Sequence, residues 1–110
     1  MAQKIIEVVQ SDKLYRLDFT LKDADDAVIN LTSATILINA QKQTGTALKF
    51  TGTMTSGTPT AGMCYYTVAA ADLDEPGDYY AEIEVTFVGG KVITFNDLVI
   101  RVRPQLPRSI

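Results

Sequence analysis

A two-residue alternation of apolar and polar side chains recurs along most of this chain and limits the folds open to it. The segment YYAEIEVTF (79–87) places apolar side chains at every second position, with Glu82 and Glu84 between them. LYRLDFTL (14–21) repeats the pattern. Successive side chains of a strand point to opposite faces of a sheet, so both segments are predicted to be half-buried strands. Further strands are predicted over 4–9, 34–40, 64–68 and 98–102.

Turn residues separate these segments, and no segment carries a helical stripe longer than one turn. Short strands joined by turns pack as two layers of antiparallel sheet. Because Cys64 is the single cysteine, no intrachain disulfide can form. Cys64 itself is interpreted as a small core residue. We therefore predict an all-β fold, an Ig-like antiparallel β-sandwich of about seven strands over residues 1–103. Pro104 and Pro107 cannot donate to a sheet, so residues 104–110 are predicted to form an extended C-terminal tail.

Gly89 and Gly90 are predicted to form the turn of a hairpin. A three-residue loop over 88–90 keeps the apolar side chains of both arms on one face, whereas a two-residue turn would not. In this loop Gly90 takes the left-handed conformation. A bulge near Asn96 and Asp97 is then needed to return the following apolar residues to the inner face. The predicted pairs are Val85 with Ile93 and Ile83 with Phe95.

The stretch DLDEPGDY (72–79) has the spacing of a tyrosine corner. In Ig-like sandwiches, a tyrosine just inside a late strand donates a hydrogen bond to the crossover before it. Gly77 is assigned to the turn and Tyr79 to the anchor. Both are predicted to have structural roles.

Two segments also carry a family resemblance. YYTVAAADLDEPGDYYAEIEVTFVGGKVITF (65–95), together with LKDADDAVINLTSATILI (21–38), resembles the N-terminal Ig-like domain of phage baseplate upper proteins and similar small domains of tail and virion proteins. The resemblance implies a structural virion protein, a tail or baseplate assembly subunit made in the bacterial host cytoplasm. Its implied partners are other virion proteins and copies of itself. Capsid decoration, a neck protein and fibre attachment are the alternatives within the virion.

Residue types that perform chemistry are scarce. Histidine is absent, which removes the usual general base and the commonest metal ligand. Glu82 and Glu84 lie on the polar face of a regular strand and are interpreted as solvated or interface charges. Asp23, Asp25 and Asp26 match no calcium-loop pattern and are typical turn residues. We predict no enzyme activity and no catalytic, cofactor or metal site. The net charge of −3 predicts no nucleic-acid partner, and the lack of a long apolar run predicts no membrane span.

Strands 4–9, 34–40 and 98–102 are apolar on both faces, whereas a free two-layer sandwich leaves one face of each sheet polar. Two explanations are open. Either the outer apolar residues are harmlessly exposed or covered by loops of the same chain, or partner subunits cover them. The tail, which is apolar and cationic, favours partners, because such an arm docks in a neighbour or adds a strand to it. The predicted interface residues are Leu37, Val99, Arg101, Arg103, Leu106, Arg108 and Ile110.

Two tyrosine doublets support an alternative function. Tyr65–Tyr66 and Tyr79–Tyr80 each place one ring outward. Exposed tyrosines stack on sugars or anchor protein interfaces. The alternative is therefore a carbohydrate- or host-surface-binding module whose partner is a host glycan.

Overall fold

The structure is a computed structural model that describes residues 4–10, 12, 14–45, 47–69 and 71–104. Eight strands and one short 3-10 helix, Pro59–Ala61, are formed by these residues. The strands are β1 (Lys4–Val9), β2 (Arg16–Thr20), β3 (Thr35–Lys42), β4 (Leu48–Thr53), β5 (Thr55–Thr58), β6 (Met63–Thr67), β7 (Gly77–Thr86) and β8 (Val92–Arg103).

The strands form two sheets that pack face to face. One sheet has five strands in the order β1-β8-β7-β3-β4, and the other has three in the order β2-β6-β5. The predicted all-β, Ig-like sandwich without a disulfide is confirmed, and Cys64 is a buried free thiol. Most pairs are antiparallel, but β1 pairs with β8 in parallel.

Strands β4 and β5 were not predicted from the sequence. The segment LKFTGTMTSGT lacks sustained alternation, and two glycines interrupt it. At Met54 the chain crosses from the five-stranded sheet to the three-stranded sheet. Met54 is buried and donates its backbone N–H to Ile36 O at 2.8 Å. Tertiary packing, rather than local pattern, defines these two edge strands.

The β7–β8 hairpin has the predicted register. Val85 pairs with Ile93 and Ile83 pairs with Phe95. The Phe87 N–H donates to Lys91 O at 2.8 Å, closing a three-residue loop whose Gly89 and Gly90 have φ values of 98° and 96°. Both values lie in the region that favours glycine. The register shifts between Ala81 and Ile83, which places the predicted bulge at 96–97 of β8.

The core lies between the two inner faces. Apolar residues at alternate positions of β2, β3, β7 and β8 pack there, as the two-residue period predicts. Loop residues complete the core from the ends of the sandwich. The fully buried side chains of largest volume are Tyr79, Leu31, Ile36, Ile38, Leu73, Ile100, Val68 and Val85.

Candidate interaction surfaces

The outer face of the five-stranded sheet carries a row of side chains that crosses all five strands and is apolar on four of them. The register aligns Ile5 of β1 with Val99 of β8, Val99 with Tyr80 of β7 and, through Gln41 of β3, Tyr80 with Leu48 of β4. We call Ile5, Val99, Tyr80 and Leu48 the apolar row. Three of these side chains are about half exposed: Ile5 at 49%, Tyr80 at 53% and Leu48 at 55%.

Val99 lies in the middle of this row, but only 4% of it is exposed. Its pairing partners Ile5 and Tyr80 flank it on the neighbouring strands. The surface that a partner would meet is therefore formed by the flanking side chains. Val99, which the sequence predicts as an interface residue, contributes little exposed surface itself.

A charged row lies beside the apolar row. The register aligns Glu7, Arg101 and Asp78. Arg101 Nε donates to Asp78 Oδ1 at 3.0 Å, and its guanidinium lies 3.8 Å from Glu7 Oε1. The hydrogen bond from Arg101 to Asp78 is the main cause of the raised pKa of Arg101. Arg101, which the sequence assigns to an interface, is thus already paired within its own sheet.

The other predicted interface residues are spread along the sheet. Leu37 is half-buried and pairs with Glu84 and Thr53, two rows from Tyr80 on β7, so it does not join the apolar row. Arg103 is exposed at the end of β8. Leu106, Arg108 and Ile110 lie outside the described residues.

The turn before β7 is held by a hydrogen bond from Tyr79. The phenolic hydroxyl, on a side chain with no exposed surface, donates to Glu75 O at 2.7 Å. Gly77 has a φ of 130°, which an L side chain rarely adopts. Together, Gly77 and Tyr79 form the geometry of a tyrosine corner.

Two ion pairs fasten the same turn to the five-stranded sheet. Lys42 Nζ lies 2.8 Å from Glu75 Oε2, and Lys49 Nζ lies 2.6 Å from Asp74 Oδ1. Hydrogen bonding to Lys49 lowers the pKa of Asp74, and hydrogen bonding to Lys42 lowers the pKa of Glu75. These carboxylates are assigned to the fold, because each one has a lysine partner from β3 or β4.

The remaining candidate side chains also have structural surroundings. Asp23 Oδ1 accepts the backbone N–H groups of Asp25 and Ala27, an Asx-type turn. Burial raises the pKa of the Cys64 thiol to about 11, which keeps it protonated at neutral pH. Asn39 Nδ2 approaches Glu82 Oε1 at 3.5 Å on the outer face.

The described ranges of the chain contain neither a metal-ligand cluster nor a membrane-spanning helix. No group of three His, Cys, Asp or Glu side chains within these ranges is arranged to hold a metal ion. Within the same ranges, no helix has the length and hydropathy required to cross a membrane.

Tyr80 is the one ring of the two tyrosine doublets that is largely exposed. Tyr66 stacks on Phe50 with a centroid distance of 5.6 Å, and its hydroxyl donates to Asp72 Oδ2 at 2.5 Å. The Arg16 guanidinium covers the Tyr65 ring at 3.8 Å. Of the rings in the two doublets, Tyr80 is therefore the one that is exposed enough to stack on a sugar.

Two glycines whose role the sequence did not signal are required by close packing. A Cβ at Gly52 would lie 2.2 Å from the Tyr66 ring, and a Cβ at Gly62 would lie 2.7 Å from Leu21 O. Gly62 ends the predicted turn segment SGTPTAG (56–62), but the pattern does not indicate its close packing, and no turn signal surrounds Gly52.

Comparison with known proteins gives one family match. A family model described as BppU N-terminal domain matches residues 1–109. A structure of murine CRIg aligns with a TM-score of 0.44 and 9% identity, covering 93% of this chain and 92% of that one, a similarity too weak to carry an argument. No curated protein matches.

Proposed function

Because the chain belongs to the family of N-terminal domains of the phage baseplate upper protein, we propose that it is a structural subunit of a phage or prophage tail, located in the baseplate. The match across residues 1–109 is the observation that carries this proposal. The protein is made in the bacterial host cytoplasm, joins the virion and acts through protein–protein contacts, without catalysis.

The apolar row is the contact surface that we assign to this role. Burying a Leu or Ile side chain completely is worth about 1.5–3 kcal/mol. Covering the exposed halves of Ile5, Tyr80 and Leu48 therefore contributes on the order of 3 kcal/mol to association. The paired charges of Glu7, Arg101 and Asp78 border the row and supply a polar rim, as in other protein interfaces.

The test is the protein content of purified particles. Mass spectrometry should find the chain in stoichiometric amounts, and immunogold labelling should place it at the distal end of the tail. Its absence from particles that contain the other tail proteins would contradict the proposal. Labelling of the capsid or neck would move the chain to one of those positions in the virion.

The glycan-binding alternative depends on Tyr80. Glycan-array screening tests it, with Tyr80→Ala as the variant and Tyr80→Phe, which keeps a stacking ring, as the control. Reproducible sugar binding that Tyr80→Ala abolishes and Tyr80→Phe retains would favour a host-surface module over an assembly subunit.

A further inference from the structure

The two sheets are unequal, and the difference opens a groove along one side of the sandwich. The three-stranded sheet ends at β2, and the first half of β8 lines a groove beside this edge. Ile93 and Phe95 point inward but remain half-buried, whereas their partners Val85 and Ile83 are 0% and 2% exposed. The result is a groove of about 610 Å³ between β2 and β8.

The groove has an apolar floor and a charged rim. Phe19 and Leu21, from β2 and the residue after it, line one wall, and Phe95 and Leu98 of β8 line the other. Lys4 closes one end, since its Nζ lies 5.2 Å from the centroid of the Phe19 ring. On the rim, Lys22 pairs with Asp26 at 3.6 Å, whereas Asp97 has no ion-pair partner among the described residues.

Part of each wall offers backbone groups for a further strand. Within the described ranges, β2 pairs only with β6, and the stretch 92–97 of β8 pairs only with β7. Beyond β2 the edge is occupied, because Leu21 N–H donates to Gly62 O and Leu21 O accepts from Ile29 N–H. The outer N–H and C=O groups of such edges are templates for strand addition. An extended peptide that pairs with an edge and sets alternate side chains into an adjoining pocket is a known mode of recognition.

We propose that this groove receives the C-terminal segment 104–110 of a second copy of the chain. This inference rests on the proposed assembly function and names the partner and the site. In an extended segment, Leu106, Arg108 and Ile110 lie on one face, with Leu106 and Ile110 about 13 Å apart. The wall from Ile93 to Leu98 is about 17 Å long at the same rise per residue, so both apolar side chains fit along it.

The charge and the proline of the segment also match the groove. Arg108 is placed between the two apolar residues, where its long stem follows the groove while its guanidinium meets Asp97 at the rim. When the backbone groups of Leu106, Arg108 and Ile110 face the acceptor edge, those of Pro107 face away. Pro107 therefore loses no hydrogen bond, and it blocks the addition of another strand.

Within its own chain the segment cannot lie along the whole wall from Leu98 to Ile93. Residues 104–110 span at most about 25 Å when fully extended. The path from Arg103 back along β8 to Phe95 covers eight residues, about 26 Å, and reversal of the chain direction uses additional length. A second copy has no such constraint, so the contact is intermolecular.

The experiment is a charge swap in the full chain, followed by sedimentation velocity at low ionic strength. We expect Asp97→Lys and Arg108→Glu each to weaken self-association at least tenfold. An equimolar mixture of the two variants should associate again, because the carboxylate introduced at position 108 of one chain meets the ammonium introduced at position 97 of the other. Asp12→Lys and Lys91→Glu are the matched controls, since both change an exposed charge outside the groove and should leave association unchanged.

Three results of this experiment would overturn the groove assignment. The groove assignment is overturned by a wild-type chain that stays monomeric at millimolar concentration, or by single variants that associate like wild type. If both single variants associate more weakly and their equimolar mixture does not recover, the effect is one of net charge, and the groove assignment is also overturned. The particle-content test of the proposed function does not depend on any of these outcomes.

Discussion

Tyr79 is the residue with the clearest single task. Its ring fills the core and its hydroxyl satisfies the Glu75 carbonyl, so one side chain joins the crossover to the strand that follows. Gly52 and Gly62 act by the opposite means, because each leaves space that a neighbouring group occupies. Single residues thus determine how closely the loops approach the sheets.

Replacing Tyr79 by Phe keeps the ring and removes the hydrogen bond to Glu75 O. A buried hydrogen bond contributes about 0.5–1.5 kcal/mol, and the carbonyl left without a partner adds to the loss. We expect the free energy of unfolding to fall by about 1 kcal/mol in urea titrations. Tyr80→Phe, which alters a mostly exposed residue, should change it by less than about 0.5 kcal/mol. Equal effects of the two variants would refute the tyrosine corner.

Gly62→Ala should be more damaging. Its φ of 71° disfavours a Cβ by roughly 1–2 kcal/mol, and the added carbon would lie 2.7 Å from Leu21 O. We expect a loss of about 2 kcal/mol or more, measured by thermal and urea unfolding. Gly57→Ala is the control, since the nearest side-chain atom is 4.0 Å from the added carbon. A Gly62→Ala variant as stable as Gly57→Ala would contradict the close backbone approach.

Among the elements, β7 and the turn before it connect most of the molecule. β7 lies in the middle of the five-stranded sheet, between β8 and β3. The preceding turn is tied to β3 by Lys42 and to β4 by Lys49. Three successive strands of the sheet are therefore linked at one end by side chains as well as by backbone hydrogen bonds.

These ion pairs make part of the stability dependent on pH. The pKa values of Asp74 and Glu75 are lowered in the folded chain, by Lys49 and Lys42 respectively. The stabilisation is therefore present above the ordinary carboxyl pKa range and is lost as the pH falls through the folded-state values. Lys49→Met should be less stable than wild type at pH 7, and the difference should vanish in strong acid, below the folded-state pKa values.

The control for this prediction is Lys91→Met, which removes the same charge from the exposed β7–β8 hairpin. Urea titrations at a series of pH values measure both variants. Since Lys91 has no ion pair among the described residues, its substitution should give a small, pH-independent change. A Lys49→Met difference that persists unchanged in acid would disprove the linkage.

The whole molecule combines a five-stranded sheet with a three-stranded one. The composition of the strands explains one proposed contact site, and the unequal width of the sheets explains the other. The larger sheet exposes the apolar row on its outer face. It also extends past β2 on the inner side, which opens the groove. A particle subunit with two different contact regions can join more than one neighbour.

Substituting Ile5 and Leu48 together by Asp tests the apolar row. Both side chains are about half exposed, so we expect the unfolding midpoint to change little. Incorporation into particles, quantified by mass spectrometry, should fall at least tenfold. Val88→Asp, at an apolar position that is 78% exposed on the hairpin loop, is the control and should incorporate normally. Normal incorporation of the double variant would remove the apolar row from the assembly surface.

Local pattern was sufficient for much of this protein. Alternating apolar residues identified β2 and β7, and short apolar runs identified β1, β3 and β6. The Gly89–Gly90 pair predicted the hairpin register and the bulge at 96–97, because these depend on neighbours close in sequence. The turn-and-hairpin block also predicted the family, which the family model confirms.

Tertiary structure alone decided the rest. The parallel β1–β8 pair joins opposite ends of the described chain, and β4 and β5 become strands only against β3 and β6. Val99 is buried although it lies on the outer face, and the groove exists because one sheet is wider than the other. A two-residue period specifies which side chains share a face, but the strand order specifies what covers that face.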